Sequence, residues 1–380
     1  MKKLIFITLI LSLMLAMSAF GSNTRTLTMG NNNMILVDDA NIWMFPSRIN
    51  DYPGLAIAEI GSGDVTQFGV HWKLGDEKSW VLATYFDNMG PMSPAVFVPF
   101  DNALLDNRRI HLFYGRTMSS TNFGLRFSVT QSGQELVGSY NESFSYYLLN
   151  AGLTADDGSW DIAISFGLGD WTDETGAGIT ETSPDGYSDF ILEGRMFWDQ
   201  GPNYTYVPHA SIEFHKIGIQ FDVVSVPTSL DKFSTFVFDL GIGQIYTPSN
   251  NVEAVLDFGI RFNRLKFEDI DLLDATNNAE SNFNTTSIFY FKLGLDAEVF
   301  SWMDVRFGAT SFWNRFKQEN GIDFKTSSAA NDTFLGFGFH WGNFHVDTYA
   351  DPQLFLEGFN FISGGNQNMN FQISAVYEML

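Results

Sequence analysis

From residue 54 almost to its end, the chain repeats one pattern: long runs in which every second side chain is apolar. Val252, Ala254, Leu256, Phe258, Ile260 and Phe262 share one parity, against Glu253, Asp257, Gly259, Arg261 and Asn263, with Val255 the single apolar intruder. Ser287, Phe289, Phe291, Leu293, Leu295, Ala297 and Val299 oppose Tyr290, Lys292, Gly294, Asp296 and Glu298 in the same way. The pattern recurs at Trp160–Leu168, Val305–Trp313 and Leu335–Trp341. A period of two is the signature of a strand with unlike faces.

A soluble sandwich also alternates, so the kind of alternation decides. These runs last roughly 10–15 residues, longer than the usual 5–6. Their apolar faces are large and aromatic, and their polar faces carry charges and many glycines. Connections alternate in length. Short ones lie near 118–121, 155–159, 201–203, 248–251, 301–304 and 342–343, and longer ones at 87–108, 131–141, 170–187, 267–284, 317–331 and 351–368. Short turns alternating with long loops mark an outer-membrane barrel. In hydrocarbon every backbone group must be paired, so spanning strands must close on themselves. The expected fold is therefore all-β: a transmembrane antiparallel up-and-down barrel of about 14–16 strands. Sixteen runs can be counted, or fourteen if the first two belong to a plug. Between 203 and 225 the apolar parity slips at His215–Lys216, which predicts a bulge in one long strand.

Composition agrees. Only 17% of residues are charged, against a usual ~25%, while Phe alone numbers 38. Mean hydropathy of −0.03 leaves no dominant helical membrane block. A net charge of −23 argues against nucleic acid as a partner. The absence of cysteine excludes disulfide frameworks, thiolate metal sites and thiol nucleophiles.

Lys2 and Lys3, the apolar run Leu4–Met17 and the small residues Ser18, Ala19 and Gly21 read as an export signal peptide over 1–21, cleaved after Gly21. Residues 22–52 then form a periplasmic or plug-like segment and 53–380 the barrel, inserted in outer-membrane lipid. The last strand alternates through Phe371, Ile373, Ala375, Tyr377 and Met379. It is similar to the terminal strand that bacterial barrel-assembly machinery reads, although it ends on Leu380.

Leu27-Thr28-Met29-Gly30 followed by Asp38-Asp39-Ala40-Asn41-Ile42-Trp43-Met44-Phe45-Pro46 resembles the opening of FadL/PorV-type outer-membrane barrels. Phe45 stands where that family has Asn, and Ser47 where it has Ala. The resemblance implies a barrel of about fourteen strands with its N-terminal segment tucked at the periplasmic end or inside. It carries over no fatty-acid substrate.

Parity lists the inward residues. Arg126, Glu193, Arg195, Asp239, Glu253, Asp257, Arg261, Lys292, Asp296, Glu298 and Arg306 are the candidate pore-lining groups. Charges of both signs imply water or tight pairing inside, because an isolated buried charge is costly. The wall is slightly acidic, so passive, mildly cation-preferring conduction of small solutes is expected. The competing readings are a non-conducting surface or secretion-partner scaffold and uptake of hydrophobic compounds. A Gly342-Asn343 turn would pair His340 with His345 and bring Asp347 to the same face. Three such ligands without a close fourth make no metal centre. Asp269–Glu280 has the length of a calcium loop but lacks its ligands and turn glycine. No motif of a hydrolase, nucleotide binder or zinc protease occurs, so neither an enzyme nor a cofactor is expected. Nothing in the residue pattern sets an oligomeric state.

Overall fold

The computed structural model describes residues 22–61, 66–75, 80–87, 108–136, 140–175, 179–182, 186–223, 226–271, 279–319, 325–350 and 371–379. The signal-peptide segment and the 87–108 and 351–368 connections lie outside these residues or nearly so. Among the described residues no helix is long and apolar enough to cross a membrane; strands do the crossing.

Sixteen antiparallel strands close into one barrel. They are β1 (Leu55–Gly61), β2 (Thr66–Leu74), β3 (Trp80–Asp87), β4 (Arg108–Met118), β5 (Thr121–Leu136), β6 (Tyr140–Ala155) and β7 (Trp160–Thr175). Next comes β8, interrupted as Ile179–Thr182, Tyr187–Met196 and Trp198–Asp199, all three pieces pairing with the following strand. Then follow β9 (Tyr204–Val223), β10 (Val226–Ser249), β11 (Val252–Asp271), β12 (Ala279–Phe300), β13 (Met303–Glu319), β14 (Lys325–Trp341), β15 (Phe344–Ala350) and β16 (Phe371–Glu378). Closure is β1 on β16, in register from Leu55↔Glu378 to Gly61↔Gln372. The first two strands thus belong to the wall. The 342–343 turn is as expected: Gly342 takes φ 65°, and Trp341 pairs with Phe344 and His340 with His345.

The outward face is apolar over a band that ends in aromatic girdles. On β9 it runs from Tyr204 to Phe214, ten steps, or about 25 Å once tilted, the height of an outer-membrane band. At the short-turn end Phe300, Trp302, Phe339, Trp341 and Phe344 stack in series, with ring centroids 5.4–6.2 Å apart. At the other end Phe166, Phe190, Phe214, Phe236 and Phe262 form a ladder across five strands. Such belts place the barrel in the outer membrane, with the short turns at the periplasmic side. Phe258 lies within the band, 51% exposed and 5.3 Å from Phe291. Phe258→Arg should cost about 2–4 kcal/mol in urea unfolding from lipid vesicles, the depth-dependent penalty for a cation on the lipid face.

Two expectations need correction. First, β9 has no bulge at His215–Lys216. It pairs without a register break to β10 (His215↔Thr235, Lys216↔Ser234) and to β8 (His215↔Asp189, Lys216↔Ser188). Phe214 and Lys216 are exposed and His215 and Ile217 buried, so side-chain parity does not change there. What changes is the surroundings: Lys216 points outward just beyond the apolar band. Register shifts lie elsewhere, at Phe221/Asp222 in β9 and between Ser287 and Phe289 in β12. Second, the predicted long loops at 131–141, 170–187, 267–284 and 317–331 are partly strand. β5, β7, β11 and β13 continue to Leu136, Thr175, Asp271 and Glu319. Apolar alternation stops where lipid stops, whereas the hydrogen-bond ladder continues.

Candidate functional site: a plug seated in the barrel

Residues 22–54 fill the short-turn half of the lumen. Helix α1 (Ser22–Thr28) is followed by 3₁₀ turns at Asp39–Trp43 and Pro46–Asp51. Asp38 caps the first of these: its carboxylate accepts from Ala40 N (3.1 Å), and Asn41 Oδ1 accepts from Asp38 N (3.2 Å). Pro46 opens the second, where its missing N–H costs nothing. Apolar plug residues meet apolar inward ones in two clusters. Ile42 and Ile49 pack with Leu55, Ile57, Val81, Tyr85, Phe113 and Val376, and Met29, Ile35 and Leu36 with Val207 and Val255.

Charge supplies the other fastening. Arg48 donates to both oxygens of Asp161 on β7 (2.9 Å each), whose side chain is fully buried. Arg195 on β8 donates to the same carboxylate (2.7 Å), to Leu36 O (2.7 Å) and to Asn41 Oδ1 (2.9 Å). One wall carboxylate thus ties a plug arginine to a wall arginine. Arg25 reaches Glu253 on β11 (3.0 Å), Asp296 on β12 (3.3 Å) and Asp38 (3.5 Å). Burial by itself would lower the Arg25 pKa; Asp296, Glu253 and Asp38 reverse this and raise it, so the group stays charged. Arg306 on β13 donates to Asp296 (2.9 Å) and Asp304 (3.2 Å) and pairs with Asp347. Glu59 on β1 accepts from Thr24 (2.9 Å), Asn23 (3.2 Å) and Ser374 (2.8 Å).

The eleven sequence-predicted residues divide accordingly. Arg195, Glu253, Asp296 and Arg306 belong to the plug's ion-pair network. Lys292 donates to Asn31 O (3.2 Å) and lies 3.9 Å from Asp257, which also bonds His209 (3.0 Å). Arg126 lies over the Trp43 ring (5.5 Å) at the plug's upper surface. Farther up, Asp239 accepts from Tyr290 (2.8 Å) and Arg261 lies 3.9 Å from Glu213. Glu193 on β8 lies near the like charge of Glu213 as well as the cations Arg126 and Arg195, and Glu298 is exposed at the short-turn rim. His340 contacts His345 and Asp304, while Asp347 is taken by Arg306. Among the described residues no group of three is arranged to hold a metal.

The seat itself was missed from sequence, although a signal existed. Many inward positions under the plug are glycines, and the plug backbone lies directly on them. A Cβ on Gly124 would sit 2.2 Å from Pro46 O, and one on Gly308 2.3 Å from Gly30 N. The plug reciprocates at Gly30: φ is 77°, and a Cβ there would meet Leu293 O at 2.4 Å. Glycine on a strand marks close approach of another backbone.

Asp39 is buried, and its Oδ2 has no hydrogen-bond partner. Burial and the nearby carboxylates of Asp38, Asp347 and Glu59 hold its carboxyl well above the usual range. A group with a raised carboxyl pKa binds more protons seated than free. Asp39's contribution to plug seating is therefore most favourable below the ordinary carboxylate pKa and weakens as pH rises from there through the raised value, opposite in sign to that of the ion-paired carboxylates. Asp39→Asn should tighten the seat at neutral pH and flatten this dependence, read as hydrogen exchange of 22–54 corrected for intrinsic rates.

Fold and site define a class: an outer-membrane β-barrel whose periplasmic half is filled by its own N-terminal segment. No family model matches the sequence, and no curated protein matches it. Among solved structures it is similar to the toluene transporter TodX of Pseudomonas putida, with TM-score 0.41 and 10% identity over 94% of this chain and 97% of that one. It is also similar to the alcaligin outer-membrane receptor FauA of Bordetella pertussis (0.42, 9%, 85% and 75%) and to CdiB of Escherichia coli (0.43, 10%, 86% and 63%). At these values the likeness assigns no cargo.

Proposed function

We propose that this barrel is a conduit for small solutes, closed at rest by residues 22–52 and cation-preferring when the plug shifts. The observation that carries this reading is the set of buried and half-buried arginine–carboxylate pairs between plug and wall. Arg25 and Arg48 neutralise wall acids that would line an open lumen: Glu253, Asp296 and Asp161. With the plug displaced, these acids and Asp257 would outweigh Arg195, Lys292 and Arg306 over that stretch. The eleven inward residues are then pore-lining in the open state. The division into an export leader (1–21), plug (22–52) and barrel (53–380) belongs to the same proposal. So do an origin in a bacterium with two membranes, assembly through the terminal strand by the barrel-assembly machinery, and kinship with FadL/PorV-type barrels. Current recording in planar bilayers on the full chain and on a chain lacking 22–52 tests the reading. A filled lumen equally suits a scaffold, which predicts silence from both.

A further inference from the structure

The outward wall carries a feature that no part of the conduit reading uses. Phe166, Phe190, Phe214 and Phe236 stand side by side on β7 to β10, with ring centroids 4.9–6.1 Å apart. The next row up reads Leu168, Ser188, Lys216, Ser234 and Lys266, each directly opposite the next. Small Ser188 and Ser234 leave gaps on either side of Lys216. Together the two rows frame a groove of about 820 Å³, floored by the phenylalanines and rimmed by Lys216, Arg264 and Lys266. Lys216 and Lys266 flank Ser234, two strand spacings apart, or roughly 10 Å. Arg264, opposite Phe236, lies one row below Lys266. Acids on the same face are Glu268, which pairs with Lys266 and stands opposite Lys232, and Asp170 on β7, two residues above Leu168.

We propose that this groove binds one phosphate-bearing, acylated lipid of the outer leaflet. A phosphate would sit over Ser234 among Lys216, Arg264 and Lys266, with an acyl chain along the phenylalanine floor. Two observations select this occupant. The first is charge complementarity: in a chain of net charge −23, Lys216, Arg264 and Lys266, with Lys232 one row above, cluster on one stretch of the outward wall. The second is depth. The outward apolar rows of β9 and β11 end at Phe214 and Phe262, so the cations begin where the hydrocarbon ends and headgroup phosphates begin. A soluble anion would use the rim and leave the aromatic floor idle. This inference is independent of what the lumen passes.

The test uses the full-length folded protein in detergent micelles, titrated with a bis-phosphorylated, multiply acylated glucosamine disaccharide lipid. Binding is read by native mass spectrometry. Lys216→Gln with Arg264→Gln and Lys266→Gln should weaken binding by about tenfold or more. The dephosphorylated lipid should bind wild type as weakly as the phosphorylated lipid binds the triple variant. Inorganic phosphate at equal concentration should not compete. Arg116→Gln with Lys317→Gln, outward cations away from the groove, should leave binding within about twofold of wild type. Lys216→Arg with Lys266→Arg keeps the charge and should keep binding, which separates the rim's role from a folding defect. Equal binding by wild type and the triple variant overturns the proposal. So does an equal loss in the Arg116/Lys317 pair, which would indicate diffuse charge, or full competition by phosphate, which would indicate a free-anion site.

Discussion

Deleting residues 22–52 should turn a barrel that passes no resolvable current into one with steady open-channel steps. A sixteen-stranded barrel is wide enough to hold an aqueous channel unless something fills it, and here the filling at the periplasmic half is the chain's own N-terminal segment. Deletion removes Ile42, Ile49, Ile35 and the 3₁₀ turns from the lumen, together with the cations Arg25 and Arg48. Glu59, Asp161, Glu253 and Asp296 then face water without their plug partners. The channel should favour cations at about 0.1 M salt, where the screening length is ~10 Å, and much less at ~1 M, where it is ~3 Å. Neutralising Asp257 and Asp296 together in the deleted chain should move the reversal potential toward anions at low salt. Unchanged selectivity would remove that sector from the channel wall.

Arg25→Met should unseat the plug without deleting it. The guanidinium is the common partner of Asp38, Glu253 and Asp296, and its side chain is 22% exposed. Breaking a buried pair by removing one partner costs about 3–5 kcal/mol, because the stranded charges remain. Partial exposure, and the continued pairing of Asp296 with Arg306, reduce this to about 2–3 kcal/mol, on the order of a hundredfold in the ratio of seated to unseated plug. Trypsin should then cut after Arg48 far faster, and bilayer records should show intermittent openings. Arg116→Met is the control. Arg116 lies outside the barrel over the Trp80 ring, 4.7 Å away, and its loss should leave both readouts unchanged.

The barrel was legible in the sequence because lipid writes a period of two onto every strand it touches. Antiparallel order and the 342–343 turn follow from that signal, whereas the choice of sixteen strands over fourteen needed the closure of β1 on β16. It stops at the membrane edge, so the upper extensions of β7, β11 and β13 looked like loops, and outward Lys216 beside inward Ile217 looked like a bulge. The register shifts that do occur, among them those at Phe221/Asp222, Gly259/Arg261 and Ser287/Phe289, are set by pairing with the neighbouring strand and leave no mark in apolar parity. The plug's seat is a different kind of omission. Arg25 meets Asp296 across 271 residues, and Arg48 meets Asp161 across 113. No local spacing records such pairs, and only parity marked Glu253, Asp296 and Arg306 as inward. The inward glycines were visible, but their meaning depended on a second backbone lying against them.

The central claim is that the seated N-terminal segment is what closes this barrel, and a reversible lock tests it most directly. Ser47 Oγ and Thr154 Oγ1 are 2.7 Å apart across the plug–wall boundary, and the chain contains no cysteine. Ser47→Cys with Thr154→Cys therefore places the molecule's two thiols at that boundary. In the Arg25→Met background the account predicts silence in planar bilayers once intact mass shows the cross-link formed, and openings that return when a reductant is added. Openings that persist with the cross-link in place would contradict it, because ions would then be passing a plug whose central segment is still pinned to the wall.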